Sequence, residues 1–361
     1  MFTDLVGQTP GEIKSWLKRV NEPPYRFTQI FDWIYKKVIC STKDMLNLPV
    51  SLREKIDSDF TFPALHLEKI ERSLDQETTK YLWTLSDGKQ IESVLIVSGK
   101  RRTVCVSSQV GCPVRCAFCA SGKEGFVRNL SAGEIIEQIL QIQGLLKSQQ
   151  ECVTHVVFMG MGEPLENYDQ VIKALHLLIH PLALHLSARR VTISTVGVIE
   201  GIRKLMHEKI PVNLALSLHA PNQHLRKKII PHARKYALED ILEAAKRYSQ
   251  TTKRDLTYEY ILLKGINDGE KEALQLGQLL KGTHGCVNLI PYNPVSRLRF
   301  ERPDAASIKK FRDLLERGGL RTTWRYTKGK DIAAACGQLA LKRANSDRAH
   351  DSVLAETLLT H

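Results

Sequence analysis

The chain contains no run near the roughly 18 apolar residues that a bilayer-spanning helix requires, so its 361 residues are not expected to cross a membrane as helices. Nor is a secretory leader expected, since Met1-Phe-Thr-Asp-Leu-Val-Gly7 has no basic segment followed by an apolar one. With export not expected, the eight cysteines read as thiols in a reducing cytoplasm, serving metal or catalysis rather than disulfides. Acidic residues are the scarcer charge, 39 against 52 basic, a formal +13. Such an excess suits a polyanionic partner, because Lys and Arg neutralising phosphates dominate nucleic-acid affinity. The 43% apolar content is enough for one large core with a smaller domain beside it.

The most informative residues are Cys112, Cys116 and Cys119, a CxxxCxxC run placed where a strand-like stretch gives way to a loop. Three thiolates this close can hold three irons of a [4Fe–4S] cube and leave the fourth iron without a protein ligand, and an open metal position is where chemistry happens. The alternative is a zinc site completed by Cys105, Cys152 or His155. The spacing favours the cluster, since structural zinc sites come as two separated ligand pairs.

Residues 1–65 read as a small helical accessory domain. Thr9-Pro10-Gly11-Glu12 offers an N-cap, a proline at the first helical position and a capping-box glutamate. Ile13, Trp16, Leu17 and Val20 follow at helical spacing. The residues 27–37 form a second amphipathic stretch and 50–58 a third helix, with the aromatic stripe read as core. The segment 66–100 turns to strands, at 80–85 and 90–97, and reads as a β-rich connection. From 101 to 340 strand-like runs at 102–106, 154–159, 190–194, 212–218, 256–263, 287–290 and 322–326 alternate with helical patterns, the clearest opened by a capping box at Ser131 and Glu134. Alternating βα units imply a parallel sheet, and about six units after the cysteine strand fit a partial (β/α)6 barrel. The residues 341–361 form a tail that matches no pattern.

In such a sheet ligands sit at the carboxyl ends of the strands. The residues there are Gly160-Met-Gly-Glu-Pro164, Ser194-Thr-Val-Gly197, Ser217-Leu-His-Ala-Pro221 and Pro291-Tyr-Asn-Pro294. The glycines permit close backbone approach to a ligand. Glu163 suits a ligand ammonium, and Ser194, Ser217 and Asn293 supply neutral hydrogen bonds.

These residues together resemble the radical S-adenosylmethionine superfamily. The longer runs Cys105-Val-Ser-Ser-Gln-Val-Gly-Cys112, Phe158-Met-Gly-Met-Gly-Glu-Pro-Leu165, Ser217-Leu-His-Ala-Pro-Asn222 and Asp331-Ile-Ala-Ala-Ala-Cys-Gly-Gln-Leu339 are similar to the dual-specificity ribosomal and transfer RNA adenine-C2 methyltransferases. The run Tyr25-Arg-Phe-Thr-Gln-Ile-Phe-Asp-Trp-Ile-Tyr35 resembles their accessory helical domain, and the likeness covers residues 8 to 342.

The resemblance implies one [4Fe–4S] cluster on Cys112, Cys116 and Cys119, with S-adenosylmethionine chelating the open iron. Gly162, Glu163, Ser194, Ser217, Leu218, His219 and Asn293 would help hold it. Cys336 would carry a methyl group as S-methylcysteine, Cys105 would be its thiol partner and Glu92 a proton acceptor. For Glu92 this rests on the resemblance alone, since a carboxylate on a strand faces solvent by default.

Carbon 2 of adenine is electron-poor and cannot attack a sulfonium methyl, whereas a thiolate can. The implied scheme spends two S-adenosylmethionines: one methylates Cys336, and the other gives a radical that activates that methyl for addition to the base. A covalent RNA–protein adduct results, resolved by Cys105 with formation of a Cys105–Cys336 disulfide.

The substrates implied are ribosomal and transfer RNA, the electron donor a flavodoxin or ferredoxin, and the protein a cytoplasmic monomer. Cys40, Cys152 and Cys286 are left as buried structural thiols. Arg226, Lys227 and Lys228 with His232, Arg234 and Lys235, and Lys328 with Lys330, are candidate phosphate contacts. The sister activity on adenine carbon 8 is the near alternative, disfavoured by Val110, Pro164 and the 27–35 run; Val196 departs from the serine frequent in the carbon-2 family. A zinc-stabilised RNA-binding protein without catalysis is the distant one.

Overall fold

The computed structural model describes residues 3–39, 41–295, 298–324 and 328–339. Cys40, residues 325 and 326 of the last expected strand, and the tail lie outside the described residues.

The N-terminal helices begin where their caps require. In α1 (Pro10–Arg19) the Thr9 hydroxyl accepts the Glu12 amide while the Glu12 carboxylate accepts the Thr9 amide. The second stretch forms α2 (Arg26–Phe31) and then widens into a π-helical turn over Asp32–Lys37, ended by Val38 at φ 58°. α3 spans Val50–Asp59. Strands β1 (Thr3–Asp4) and β2 (Phe60–Thr61) pair in parallel and draw the two ends of this module together. Trp16, Phe27, Phe31 and Tyr35 are buried inside it, so the aromatic stripe is core.

The main body is a ten-stranded sheet. An antiparallel flank of β3 (Leu65–Arg72), β4 (Thr78–Leu85) and β5 (Gln90–Ser98) leads into β6 (Arg101–Cys105). A small ribbon of β7 (Gln109–Gly111) and β8 (Phe126–Asn129) brackets the cysteine loop and the short α4 (Ala120–Glu124). From β6 the sheet continues in parallel through β9 (His155–Phe158), β10 (Val191–Thr195), β11 (Asn213–Ser217), β12 (Leu256–Leu262), β13 (Gly285–Pro291) and β14 (Thr322–Trp324). The connections carry α5 (Ala132–Lys147), α6 (Tyr168–Ile179), α7 (Ile199–His207), α8 (Gln223–Ile229), α9 (Leu238–Thr252), α10 (Glu270–Leu279) and α11 (Ala305–Arg317). Seven parallel strands joined by six crossovers are the expected partial barrel. The strand β3 was not singled out by the sequence pattern: its LHLEKIER run is charged and mostly exposed, as suits a sheet edge.

Strand register divides the sheet into two unlike faces. Val104, Val156, Ile193, Leu214, Leu256 and Leu289 share one face, all fully buried against the helices. The opposite face carries a polar row running Glu71, Lys80, Val94, Cys105 and Val157. It continues through Thr192, with Ser194, Ser217, Glu259 and Asn288 farther along the strands. Side chains alternate along a strand, so this row is the lumen of the barrel. No helix among the described residues is long and apolar enough to cross a membrane.

Candidate active site

The cysteine loop leaves the carboxyl end of the first barrel strand and is pinned at several points. Cys112 N–H donates to Gly125 (2.9 Å), Ala117 N–H to Ile229 at the end of α8 (2.9 Å), and Cys119 N–H to Cys116 (3.2 Å). Val114 and Phe118 pack into a small apolar cluster with Ile229, Ile230 and Tyr292. Burial pushes the Cys112 thiol up to about 12 and raises Cys116 and Cys119, and charge on any one of Cys112, Cys116 and Cys119 would act on another. Such thiols stay protonated unless a metal takes them. Among the described residues no three His, Cys, Asp or Glu side chains close around a point as one ion would require. The zinc reading loses two of its fourth ligands on position: Cys152 and His155 stand before and at the start of β9, at the far end of the strands.

Glu163 ends the Gly160–Glu163 turn and is 3% exposed. Its carboxylate accepts the amides of Leu165 (3.1 Å) and Val196 (2.9 Å), so it bridges the ends of β9 and β10. Burial raises its pKa to about 7. The glycines also answer to the chain's own packing. A Cβ on Gly160 would meet the Val106 carbonyl at 2.7 Å, and one on Gly162, at φ 106°, would meet Gln109 at 2.7 Å. The chain crosses itself here, because Ser108 and Gln109 both donate to Met161.

Ser194 and Ser217 face each other with hydroxyls 3.3 Å apart in the lumen. The Leu218 and His219 amides donate to Glu259 O. His219 accepts the Ile261 amide at 3.0 Å and sets its ring edge-on to Phe118 of the cysteine loop. Burial holds its imidazole down at about 3, hence neutral. Asn293, 2% exposed, donates to the Cys336 carbonyl at 3.4 Å.

Cys336 lies in a turn rather than a helix start, and its residue is exposed. The segment carrying it spans the barrel mouth. On one side Lys328 reaches Glu77 (2.8 Å) and the Val97 carbonyl (2.9 Å), and Asp331 accepts the Leu74 amide (2.8 Å). On the other, Gly337 O accepts the Ala120 amide (2.8 Å) and Leu339 O the Ser121 hydroxyl (2.6 Å). Cys105, 8% exposed at the end of β6, has its thiol pKa raised by burial and then by the nearby Cys336. Glu92 is 2% exposed, contrary to the default for a strand carboxylate. Lys80 pairs with it at 3.2 Å and with Glu71 at 3.0 Å. Ser107 ties it to the rest, donating to Glu92 O (2.6 Å) and accepting the Met161 amide (2.9 Å).

Three expectations fail. Arg226 is 1% exposed and turned inward, so it cannot grip a phosphate. Lys328 is engaged with Glu77, and His232 with Glu166 at 3.0 Å, which leaves Lys227, Lys228, Arg234, Lys235 and Lys330 as the exposed cations of those clusters. Cys152 is exposed and Cys286 half-buried, because both sit at the open amino end of the strands instead of in the core. Lys80, Gln109, Ser107 and Arg226 were missed as site residues; only the register of strands distant in sequence brings them in.

Comparison with known proteins agrees with this geometry. The family model described as "Radical SAM superfamily" matches residues 106–277, and that of the "Ribosomal RNA large subunit methyltransferase N-terminal domain" matches residues 3–61. A "Probable dual-specificity RNA methyltransferase RlmN 2" of Protochlamydia amoebophila is 57% identical over 331 residues, 92% of each chain. The chain belongs to the RlmN-type radical S-adenosylmethionine methyltransferase family. A second relative in the family, from Symbiobacterium thermophilum, is 45% identical over 96% of this chain and 92% of its own. The crystal structure of a radical SAM methyltransferase from Sphaerobacter thermophilus, 39% identical, superposes with a TM-score of 0.91 over 93% of this chain and 99% of that one. The protein is therefore a methyltransferase whose family membership brings S-adenosylmethionine and a [4Fe–4S] cluster.

Proposed function

We propose that the protein methylates carbon 2 of a specific adenine in large-subunit ribosomal RNA and in transfer RNA. The observation that carries the reading is the placement of Cys336, an exposed thiol on a segment pinned to the cysteine loop on one side and coupled to the buried Cys105 on the other. Cys112, Cys116 and Cys119 hold the cluster, and Glu163, with Gly162, Ser194, Ser217, Leu218, His219 and Asn293, holds S-adenosylmethionine. When bound together, cluster and S-adenosylmethionine supply the 5′-deoxyadenosyl radical.

The chain's own residues do the rest. The Cys336 thiolate takes a methyl from a first S-adenosylmethionine and presents that carbon to the base, as an outward-facing thiol can. One hydrogen atom of the Cys336 S-methyl group would go to the deoxyadenosyl fragment, and the remaining methylene would bond to carbon 2. The adduct would give up the one electron spent in opening S-adenosylmethionine, and Glu92, its carboxylate held by Lys80, would take the carbon-2 proton. Cys105, losing its proton, would attack the Cys336 sulfur; the carbon–sulfur pair would pass to the methylene carbon, which takes up a proton to become the methyl group, and a Cys105–Cys336 disulfide would be left for reduction by two electrons. Two S-adenosylmethionines are consumed per product. The electron donor is a flavodoxin or ferredoxin, the protein acts as a monomer in the cytoplasm, and the target base leaves its stack to enter the lumen. The span 1–65 serves as accessory domain, 66–100 as connection and 101–340 as core.

The test is methylation of both RNA types by anaerobically reconstituted protein, with product positions mapped by mass spectrometry. We expect 2-methyladenosine; 8-methyladenosine alone would overturn the choice of carbon. Protein purified without oxygen should be brown, and Cys112→Ala should bleach it.

A further inference from the structure

Arg226, the fourth residue of α8, is 1% exposed. Its Nε donates to Leu218 O (3.2 Å) and one terminal nitrogen to Ser217 O (3.3 Å) and Val196 O. All three acceptors are neutral carbonyls at the ends of β10 and β11, the strand ends from which Ser194, Ser217 and Leu218 project. Among the described residues no ion pair joins it. A guanidinium buried without an anion is costly, by several kcal/mol in general, so a negative charge belongs nearby. Two groups act on the Arg226 charge, Cys116 and Glu163. The loop of Cys116 is fastened to the same helix through Ala117 N–H and Ile229 O at 2.9 Å.

We propose that Arg226 is a positioning residue of the reaction centre, tying the carboxyl ends of β10 and β11 beneath S-adenosylmethionine and standing as a fixed buried positive charge beside the Cys116 corner of the cluster. This rests on the assignment of Cys112, Cys116 and Cys119 as cluster ligands. The two halves of the role have separate consequences. The charge favours whichever cluster state is more negative, so it eases one-electron reduction from a low-potential donor. The carbonyl bonds hold the strand ends, so they set cofactor affinity.

The test uses the full-length protein reconstituted with iron and sulfide, its metal content counted, and the cluster titrated with dithionite while its electron-spin resonance signal is followed. Arg226→Gln should load a cluster whose midpoint potential is more negative than wild type. Arg226→Lys keeps the charge but cannot span three carbonyls, so it should retain the wild-type midpoint and bind S-adenosylmethionine roughly tenfold more weakly. Lys227→Gln, an exposed neighbour, should leave the midpoint unmoved. A wild-type midpoint in Arg226→Gln overturns the electrostatic role. Where Arg226→Gln fails to fold or load, Arg226→Lys decides: undiminished affinity for S-adenosylmethionine, or a displaced midpoint, overturns the proposal. Wild-type protein that takes up no iron removes the cluster assignment itself, a result distinct from either.

Discussion

The two sides of the barrel mouth each bury a carboxylate, and they treat it in opposite ways. On the parallel side Glu163 is 3% exposed and satisfied by amide donors from Leu165 and Val196, with no cation paired to it among the described residues. On the antiparallel flank Glu92 is 2% exposed and already holds a cation, Lys80, which Glu71 shares from the sheet edge. A carboxylate held only by amides is open to a positively charged ligand, and burial raises its pKa to about 7. A carboxylate with a built-in cation is fixed in place. On the proposed reading the parallel half binds and the flank acts on what arrives, and the Cys336 segment is fastened to both.

The largest expected break falls between the halves, at Cys105. In the proposed scheme Cys105→Ala leaves Cys336 able to attack but removes its resolving thiol. Multiple turnover should fall roughly 10³-fold or more, and a covalent RNA–protein adduct through Cys336 should accumulate on denaturing gels. Full turnover with no adduct would remove Cys105 from the mechanism. Next comes Glu163→Gln, which should weaken S-adenosylmethionine binding roughly 10²-fold, the scale of an unpaired buried charge. The sign with pH follows from the raised pKa: below about 7 Glu163 is neutral, so wild-type affinity should climb as pH rises through about 7. The Gln variant should show a flat profile over that window in equilibrium titrations. A profile in the variant as steep as in wild type would take Glu163 out of the ammonium site.

Lys80 sharpens the contrast from the other side. Lys80→Met leaves Glu71 and Glu92 facing a buried apolar side chain and should destabilise the fold by about 3 kcal/mol in denaturant unfolding. Adding Glu92→Gln should recover part of that loss, because the second change removes the uncompensated charge. Strictly additive effects would mean that the contact is incidental.

How much of this was legible in the sequence depends on how far apart the cooperating residues lie. The capping boxes at Thr9 and Ser131, the alternating βα pattern and the CxxxCxxC run are local signals, and the structure has the helices, strands and loop where they point. Family membership followed from short runs quoted residue by residue. What stayed hidden was register. That Lys80 stands beside Glu92 needs the β4–β5 pairing, and that Cys105 shares a face with both needs β5–β6. Arg226 misled for the same reason: beside Lys227 and Lys228 it reads as a basic surface patch, yet its helix phase turns it inward to carbonyls contributed by two strands. The glycines of the Gly160–Glu163 turn have a second role that the sequence does not show, close packing against the chain's own 106–109 segment.

The smallest expected effect lies outside the mouth, where the flank is tied to the helices. Glu137 of α5 is 2% exposed and accepts the amides of Ala64 (2.8 Å) and Leu65 (2.9 Å) at the start of β3. Burial raises its pKa to about 8, above the ordinary 4.5 that the unfolded chain would show. A group whose folded pKa is raised contributes stability in its protonated form, fully present below the unfolded value and lost as pH climbs through about 8. Thermal unfolding of the wild type should therefore lose midpoint temperature as pH rises from about 4.5 to about 8 and level off beyond. Glu137→Gln cannot ionise, so its curve should lack that descent. At lower pH it should start below wild type by about 1 kcal/mol, for its amide oxygen can take only part of the two-amide anchor. The two curves should converge or cross on the alkaline side. Parallel curves would mean that Glu137 titrates alike in the folded and unfolded chain, so that its burial beside the two amides carries no charge penalty.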